Sequence, residues 1–160
     1  ANTNIPNIKK QVLKLSERFG KKINGFYAFP TAEKLAGASI SDLRKCSTGF
    51  KAKYIKKTSQ LIATKKFDID KIKKMNYHDA KEYLIQLPGV GNKIADCVLL
   101  FAYDRLEAFP VDVWIKRIMQ KYYFKNKKTS NEKIVKFAQD YFNGYAGYAQ
   151  EYLFYWAKNS

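Results

Sequence analysis

Cysteine and histidine are scarce in this 160-residue chain, which holds only Cys46, Cys97 and His78. Two thiols exclude a four-cysteine iron–sulfur or zinc site, and a single imidazole further disfavours zinc. So few cysteines fit a reducing compartment better than a disulfide framework. Long apolar runs are missing too. The longest, Cys97 to Tyr103, falls far short of the roughly 20 residues that span a bilayer, and no signal peptide precedes Ile5. A soluble, intracellular protein with no membrane partner is expected. Proline and glycine, at 4 and 8 residues, are too few for a collagenous or low-complexity chain. Alternating runs of Val, Ile and Thr are absent, which leaves little from which to build a sheet. Acidic residues are also short, with Asp plus Glu at 14 against Lys plus Arg at 30, a net charge of +16. A small domain with that charge repels itself unless it faces a polyanion, so nucleic acid is the expected partner.

What is present is a core and a helical period. Hydrophobic residues make up 46% of the chain, enough for one compact domain over residues 1–160. Ile5, Ile8, Val12, Leu15 and Phe19 recur at helical spacing, with Asn4 placed to cap the start and Gly20 to end it. Short helices follow over Thr31 to Ala36 and Ser39 to Lys45, then a basic one over Lys51 to Thr64. Asn76, with Asp79 three residues on, opens a helix whose inner face is Ala80, Tyr83, Leu84 and Leu87. Leu87-Pro88-Gly89-Val90-Gly91 breaks it, and Asn92 to Tyr103 follows at once. This second helix is apolar on nearly every side, which predicts a path through the middle of the domain, and Asp96 needs a partner there. Further helices are expected over Asp112 to Tyr122, Ser130 to Tyr141 and Tyr145 to Lys158, with Lys125 to Ser130 a basic loop. The fold class is all-α, a compact multi-helix domain.

A helix, a turn with two glycines and a second helix make a hairpin that can approach a ligand closely. Gly89 and Gly91 let the backbone come near, and the second helix offers unpaired N–H groups to a phosphate. Such main-chain contacts would hold a DNA backbone whatever its sequence, although an ordinary turn between helices has the same composition. Lys93 lies in the first turn of that second helix, where the helix dipole disfavours an ammonium ion. A neutral lysine amine is a nucleophile able to form a Schiff base with a sugar aldehyde carbon, while one more solvated lysine would need no such position. Asp112 sits at a helix start after Phe109-Pro110-Val111 and reads as an N-cap. A carboxylate fixed by N–H bonds also stays ionised, and it can stabilise a cationic transition state or take part in proton transfer. Gln150 and Phe154, four apart and so on one face, offer an amide and an aromatic ring as a flipped base requires, or belong to the stripe of Ala149, Tyr152, Leu153 and Trp156. Lys51, Lys53, Lys56 and Lys57, interleaved with Phe50 and Tyr54, form either a phosphate-facing patch or a solvated helix face.

Leu87-Pro-Gly-Val-Gly-Asn-Lys-Ile-Ala-Asp-Cys97, followed by Pro110-Val-Asp-Val113, resembles the helix-hairpin-helix DNA glycosylase superfamily. Tyr145-Ala-Gly-Tyr-Ala-Gln150, Leu153-Phe154, Gly49-Phe-Lys-Ala-Lys-Tyr54 and Asn2 to Ile8 carry the likeness toward the 8-oxoguanine DNA glycosylase branch and across nearly the whole chain. The resemblance implies a bifunctional glycosylase with lyase activity on duplex DNA containing 8-oxoguanine, working as an intracellular, DNA-associated monomer, in the cytoplasm or nucleoid if the source is prokaryotic. Lys93 would be the nucleophile and Asp112 the essential carboxylate. Cys97 and Phe154 would sandwich the extruded base, Gln150 would read its Watson–Crick edge, and Asn2 would approach the gap left in the duplex. No cofactor is required for catalysis. The carbonyls of Ile85, Leu87 and Val90 match a structural site for a monovalent or divalent cation at the hairpin.

Three departures from that branch stand out. The family's N-terminal antiparallel β domain, which helps line the base pocket, is not found in this chain. Trp114 and Phe101 stand where the best-known relatives carry His and Met in the pocket wall. Asn7 and Lys51 replace two arginines that read the opposite cytosine, and Phe50 replaces a wedge tyrosine. Two other readings remain: a glycosylase of the same superfamily acting on another damaged base, and a hairpin module that docks on DNA without chemistry. The missing cysteine cluster speaks against the iron–sulfur branch, and a lysine at position 93 against the monofunctional ones.

Overall fold

The computed structural model of the chain describes residues 4–159. Nine α-helices and one two-residue ribbon occur among them, in two compact units. The all-α expectation holds.

The first unit runs to Ile72 and takes in Leu87–Gly89. Its helix α1 spans Ile5–Phe19, and Asn4 caps it by accepting the Asn7 N–H at 3.0 Å. At the other end the Gly20 N–H returns to the Ser16 carbonyl, and a Cβ at Gly20 would stand 1.9 Å from the Ala28 carbonyl oxygen. The helix therefore stops at a residue that has to be glycine. Strands β1 (Lys22–Ile23) and β2 (Phe26–Tyr27) then form a short antiparallel ribbon, unforeseen because two-residue strands have no period to detect. Asn24 and Gly25, with φ of 46° and 87°, supply the left-handed turn that the ribbon needs. Helices α2 (Ala32–Gly37), α3 (Ile40–Leu43) and α4 (Lys51–Ala63) complete the unit. Between α3 and α4 a widened turn covers Arg44–Thr48, where the Thr48 hydroxyl donates to the Leu43 carbonyl at 2.8 Å and Ser47 takes φ 63°. Leu15, Leu35, Leu43, Cys46 and Ala52 form the core.

Asp42 ties three parts of this unit together. It accepts from the Ser39 hydroxyl at 2.7 Å, while the Asp42 N–H returns to that hydroxyl, and it pairs with Lys45 and with Arg18 of α1. The Ser39 bond, then Lys45 and Arg18, hold its carboxyl at about 2, below the usual carboxylate range. A carboxyl depressed in the folded state adds stability that is fully present above its unfolded value of roughly 4 and is lost as pH falls toward the folded one. The melting temperature of the wild type is expected to fall between about pH 4 and pH 2. Asp42→Asn should be less stable near neutrality and show a flatter decline over that window; an unchanged slope would remove Asp42 from the acid response.

The second unit comprises Lys73–Gln86 and the chain from Val90 onward. Helix α5 spans Tyr77–Ile85 under an Asn76 cap, and Ala80 and Leu84 are buried as the spacing predicts. Helix α6, Asn92–Tyr103, buries Ala95, Asp96, Leu99 and Leu100. It is not enclosed on all sides, because Lys93 and Ala102 are exposed and Phe101 is 62% exposed. Apolar composition around a helix thus overstated its burial; Phe101 belongs to a surface and not to the core. Helix α7 (Val113–Ile118) runs on into a wide turn over Met119–Tyr123, and helices α8 (Asn131–Phe142) and α9 (Ala146–Asn159) follow. Phe109, Val111, Ile115, Met119, Ile134, Ala138 and Ala146 form the core. Gly147 lets α9 enter close to the chain after α6: its N–H donates to the Leu106 carbonyl at 2.7 Å, and a Cβ there would meet Leu100 at 2.3 Å.

Candidate active site

The turn between α5 and α6 uses its two glycines differently. Gly89 has φ +79°, and a Cβ on it would stand 2.7 Å from the Tyr54 ring, so conformation and space both demand glycine. Gly91 is extended, and no atom lies within 4 Å of the position of its missing Cβ. It is also the N-cap of α6, and no side chain caps that helix. The first turn thus has no side-chain cap and starts with the exposed residues Gly91, Asn92 and Lys93, where the missing Cβ leaves room for an incoming group.

Lys93 is exposed in that first turn. Cys97, one turn along on the same face, is half-buried. Burial pushes its thiol up, and the charge and hydrogen bond of the adjacent Lys93 pull the other way. The structure thus brings Lys93 and Cys97 together. Lys93 also lines a cavity of about 540 Å³ between α5, α6 and α8, which Asp96, Lys81 and Val111 line as well. Cys97, Asp112, Gln150 and Phe154 do not line it.

Asp112 follows Val111 directly and caps α7, its Oδ1 accepting the Ile115 N–H at 2.8 Å. The capping role is therefore real, and it fixes the half-buried carboxylate. Helix α9 packs on α7 and carries Gln150 and Phe154. Gln150 is 5% exposed, yet its Oε1 has no hydrogen-bond partner. A buried amide oxygen left unpaired costs on the order of 1–3 kcal/mol. Phe154 packs against the core cluster, and the Lys158 ammonium lies 5.6 Å from its ring centroid. Trp114 is half-exposed with the Arg117 guanidinium 5.6 Å from its ring, and Phe101 is free to line a surface.

Of the residues expected to meet the opposite base and the backbone, Asn7, Phe50, Lys51 and Gly89 belong to the first unit and Gly91 to the second. Asn2 lies outside the described residues. Asn7 is exposed on α1. Phe50 is exposed, with its ring edge-on to Tyr54 at 6.3 Å between centroids. The basic patch is more divided than its composition implied. Lys51 donates to Gln11 Oε1 at 3.1 Å and Lys56 to the Ala38 carbonyl at 2.8 Å, whereas Lys53 and Lys57 are exposed. Half of the patch is therefore tied to its own unit.

Asp96 has the partner that its burial demanded. The Tyr77 hydroxyl donates to Oδ1 at 2.7 Å and Lys81 Nζ approaches Oδ2 to 2.9 Å. Tyr77 and Lys81 escaped the sequence reading, although their spacing of four on the helix preceding the turn was a usable signal.

Residues 1–143 match the family described as HhH-GPD superfamily base excision DNA repair protein. The chain belongs to this superfamily. A probable N-glycosylase/DNA lyase of Methanothermobacter thermautotrophicus is 44% identical over 122 residues, covering 76% of this chain and 38% of that protein. The N-glycosylase/DNA lyase OGG1 of Arabidopsis thaliana is 31% identical over 169 residues, covering 96% of this chain and 46% of that protein. Among solved structures, the Clostridium acetobutylicum 8-oxoguanine glycosylase/lyase, in complex with double-stranded DNA containing cytosine opposite 8-oxoguanine, superposes with a TM-score of 0.92 at 39% identity. That superposition covers 99% of this chain and 56% of the other. The chain thus spans less than half the length of these two curated relatives. No helix among the described residues is long and apolar enough to cross a membrane.

Proposed function

We propose that this chain carries the chemistry of a bifunctional DNA glycosylase and abasic-site lyase acting on 8-oxoguanine in duplex DNA, as a DNA-associated intracellular monomer. The observation that carries the reading is Lys93, exposed in the uncapped first turn after the hairpin and lying against Cys97, in a unit that also holds a fixed carboxylate at Asp112. The glycosylase and lyase names of the relatives support it.

In this reading the main-chain donors at Gly89 and Gly91 hold a backbone phosphate while the damaged nucleotide is extruded. The Lys93 amine attacks C1′ as the glycosidic C–N bond breaks, and the base leaves with the bonding pair. The Asp112 carboxylate faces the positive charge that develops on the sugar. In the resulting N,O-acetal the C1′–O4′ bond then breaks, O4′ keeps the bonding pair and takes up the proton that the amine gives up, and C1′ is left as the lysine Schiff base. Abstraction of a C2′ proton expels the 3′ phosphate by β-elimination, and water releases Lys93. Gln150 would give its unpaired Oε1 a donor from the base edge, between Cys97 and Phe154. No cofactor enters these steps. Carbonyls at Ile85, Leu87 and Val90, where the helical bonds of α5 run out, are hard donors of the kind that would hold a structural cation. The test is incubation with 8-oxoguanine duplex and borohydride, which should give a covalent adduct at Lys93; no adduct, or one at another lysine, overturns the reading.

The opposite base should be read loosely. Lys51 is a flexible point charge already bonded to Gln11, and Asn7 is short and uncharged, so neither supplies a planar fork. A bidentate contact contributes roughly 1–3 kcal/mol, or about five- to 150-fold between right and wrong bases. Single-turnover excision opposite adenine, guanine or thymine is expected within about tenfold of that opposite cytosine. A preference for cytosine above about a hundredfold would mean that other residues do the reading.

A further inference from the structure

The helices flanking the hairpin turn share a buried ion pair that the proposed reaction does not use. Asp96 on α6 is 2% exposed, and both of its partners, Tyr77 and Lys81, come from α5. Lys81 Nζ also lies 3.3 Å from the Tyr77 hydroxyl, which closes a triangle of polar groups. Lys93 stands three residues before Asp96 on the same helix, and at that spacing a lysine and an aspartate are natural partners. Lys93 nevertheless hydrogen-bonds with Cys97, although it lines the same cavity as Asp96 and Lys81. The buried carboxylate thus shares its cavity with both of these lysines, and Lys81 holds it.

We propose that Lys81 is a positioning residue that occupies Asp96 and so leaves the Lys93 amine free of a carboxylate partner and beside Cys97. The inference rests on the reading of Lys93 as the nucleophile. An amine bound to a buried carboxylate would be held as ammonium, with its lone pair unavailable and its side chain drawn into the cavity. The other charged groups lining the cavity are exposed. From α5, His78 and Glu82 are exposed, and Tyr77 keeps its proton because burial and then Asp96 push it up. From α8, Glu132, Lys136 and Asp140 are exposed and screened by water. Cys97 stays a thiol as burial pushes it up, and Asp112 is engaged by the Ile115 N–H. Burial pushes the Asp96 carboxyl up as well, and the Tyr77 bond and the Lys81 ammonium oppose that push. Without Lys81, Lys93 is the nearest replacement cation on Asp96's own helix.

The test compares wild type, Lys81→Met, Lys81→Met with Asp96→Asn, and Tyr77→Phe in the full chain. Borohydride trapping on duplex containing an abasic site is followed from pH 6 to 10. In parallel, acetic anhydride labelling of Lys93 is measured by peptide mass spectrometry against the exposed Lys53. For Lys81→Met the pH of half-maximal trapping should rise by about one unit or more, with trapping and Lys93 labelling at pH 7 down about tenfold. The double variant, having no buried charge to satisfy, should return both to within about twofold of wild type. Tyr77→Phe removes a hydrogen bond and no charge, so it should lower the melting temperature and leave the pH midpoint in place. If Lys81→Met does not fold, Lys81→Gln should show the same shift. A Lys81→Met profile that superimposes on wild type, or a double variant as impaired as the single one, reduces the pair to a clamp between helices and overturns the inference. Absence of trapping in wild type overturns the reading of Lys93 as nucleophile, and the labelling comparison still decides the part played by Lys81.

Discussion

Lys93→Gln is expected to abolish base release and borohydride trapping together, while binding to lesion DNA stays within about threefold of wild type because the phosphate contacts use main-chain donors. Glutamine is one atom shorter but keeps a polar, unbranched side chain in the first turn of α6, and it carries no nucleophilic amine. Lys93 is exposed, so the substitution opens no cavity and should leave the melting temperature near that of wild type. The measurements are single-turnover excision, trapping and a binding titration on the same preparation. Trapping that survives the substitution would assign the nucleophile to another lysine.

Asp112→Asn should slow excision by roughly 10²–10³-fold and leave the fold intact. The bond from the Ile115 N–H to Oδ1 survives, because an asparagine carbonyl accepts it and Asn caps helices about as well as Asp. What disappears is the negative charge, which matters only once positive charge develops on the sugar. Thermal melting and single-turnover excision separate the two roles of this residue. If stability falls in proportion to activity, the carboxylate is a cap and nothing more.

The features legible in advance were those whose causes lie within a few residues. Helices α1, α5 and α8 start where Asn4, Asn76 and Ser130 predict, since a cap bonds to an N–H three residues on and needs no distant partner. The stop at Gly20 and the break at Leu87-Pro-Gly-Val-Gly91 are visible in residue type, although the Ala28 carbonyl and the Tyr54 ring are what leave no room for a side chain at Gly20 and Gly89. Helix α6 shows the limit of composition: its apolar residues run all round, and only the packing reveals that Phe101 faces outward. The two wide turns were likewise missed. The bond from the Thr48 hydroxyl to Leu43 that accompanies one of them depends on where α3 and α4 must meet the core.

For the site, the sequence by itself determined the chemistry available. The hairpin, a lysine in the first turn after it, a capping aspartate, an amide and a ring four apart, and a charge of +16 are all written in residue type and short spacing. Tertiary structure decided which of those groups are free to act. Lys51 is engaged by Gln11 and Lys81 by Asp96, 40 and 15 residues apart, and Gln150 is buried with its carbonyl oxygen unpaired. Such pairings are set by long-range packing, in which buried polar atoms take whichever partner the fold brings within about 3 Å, and no periodicity along the chain encodes that choice.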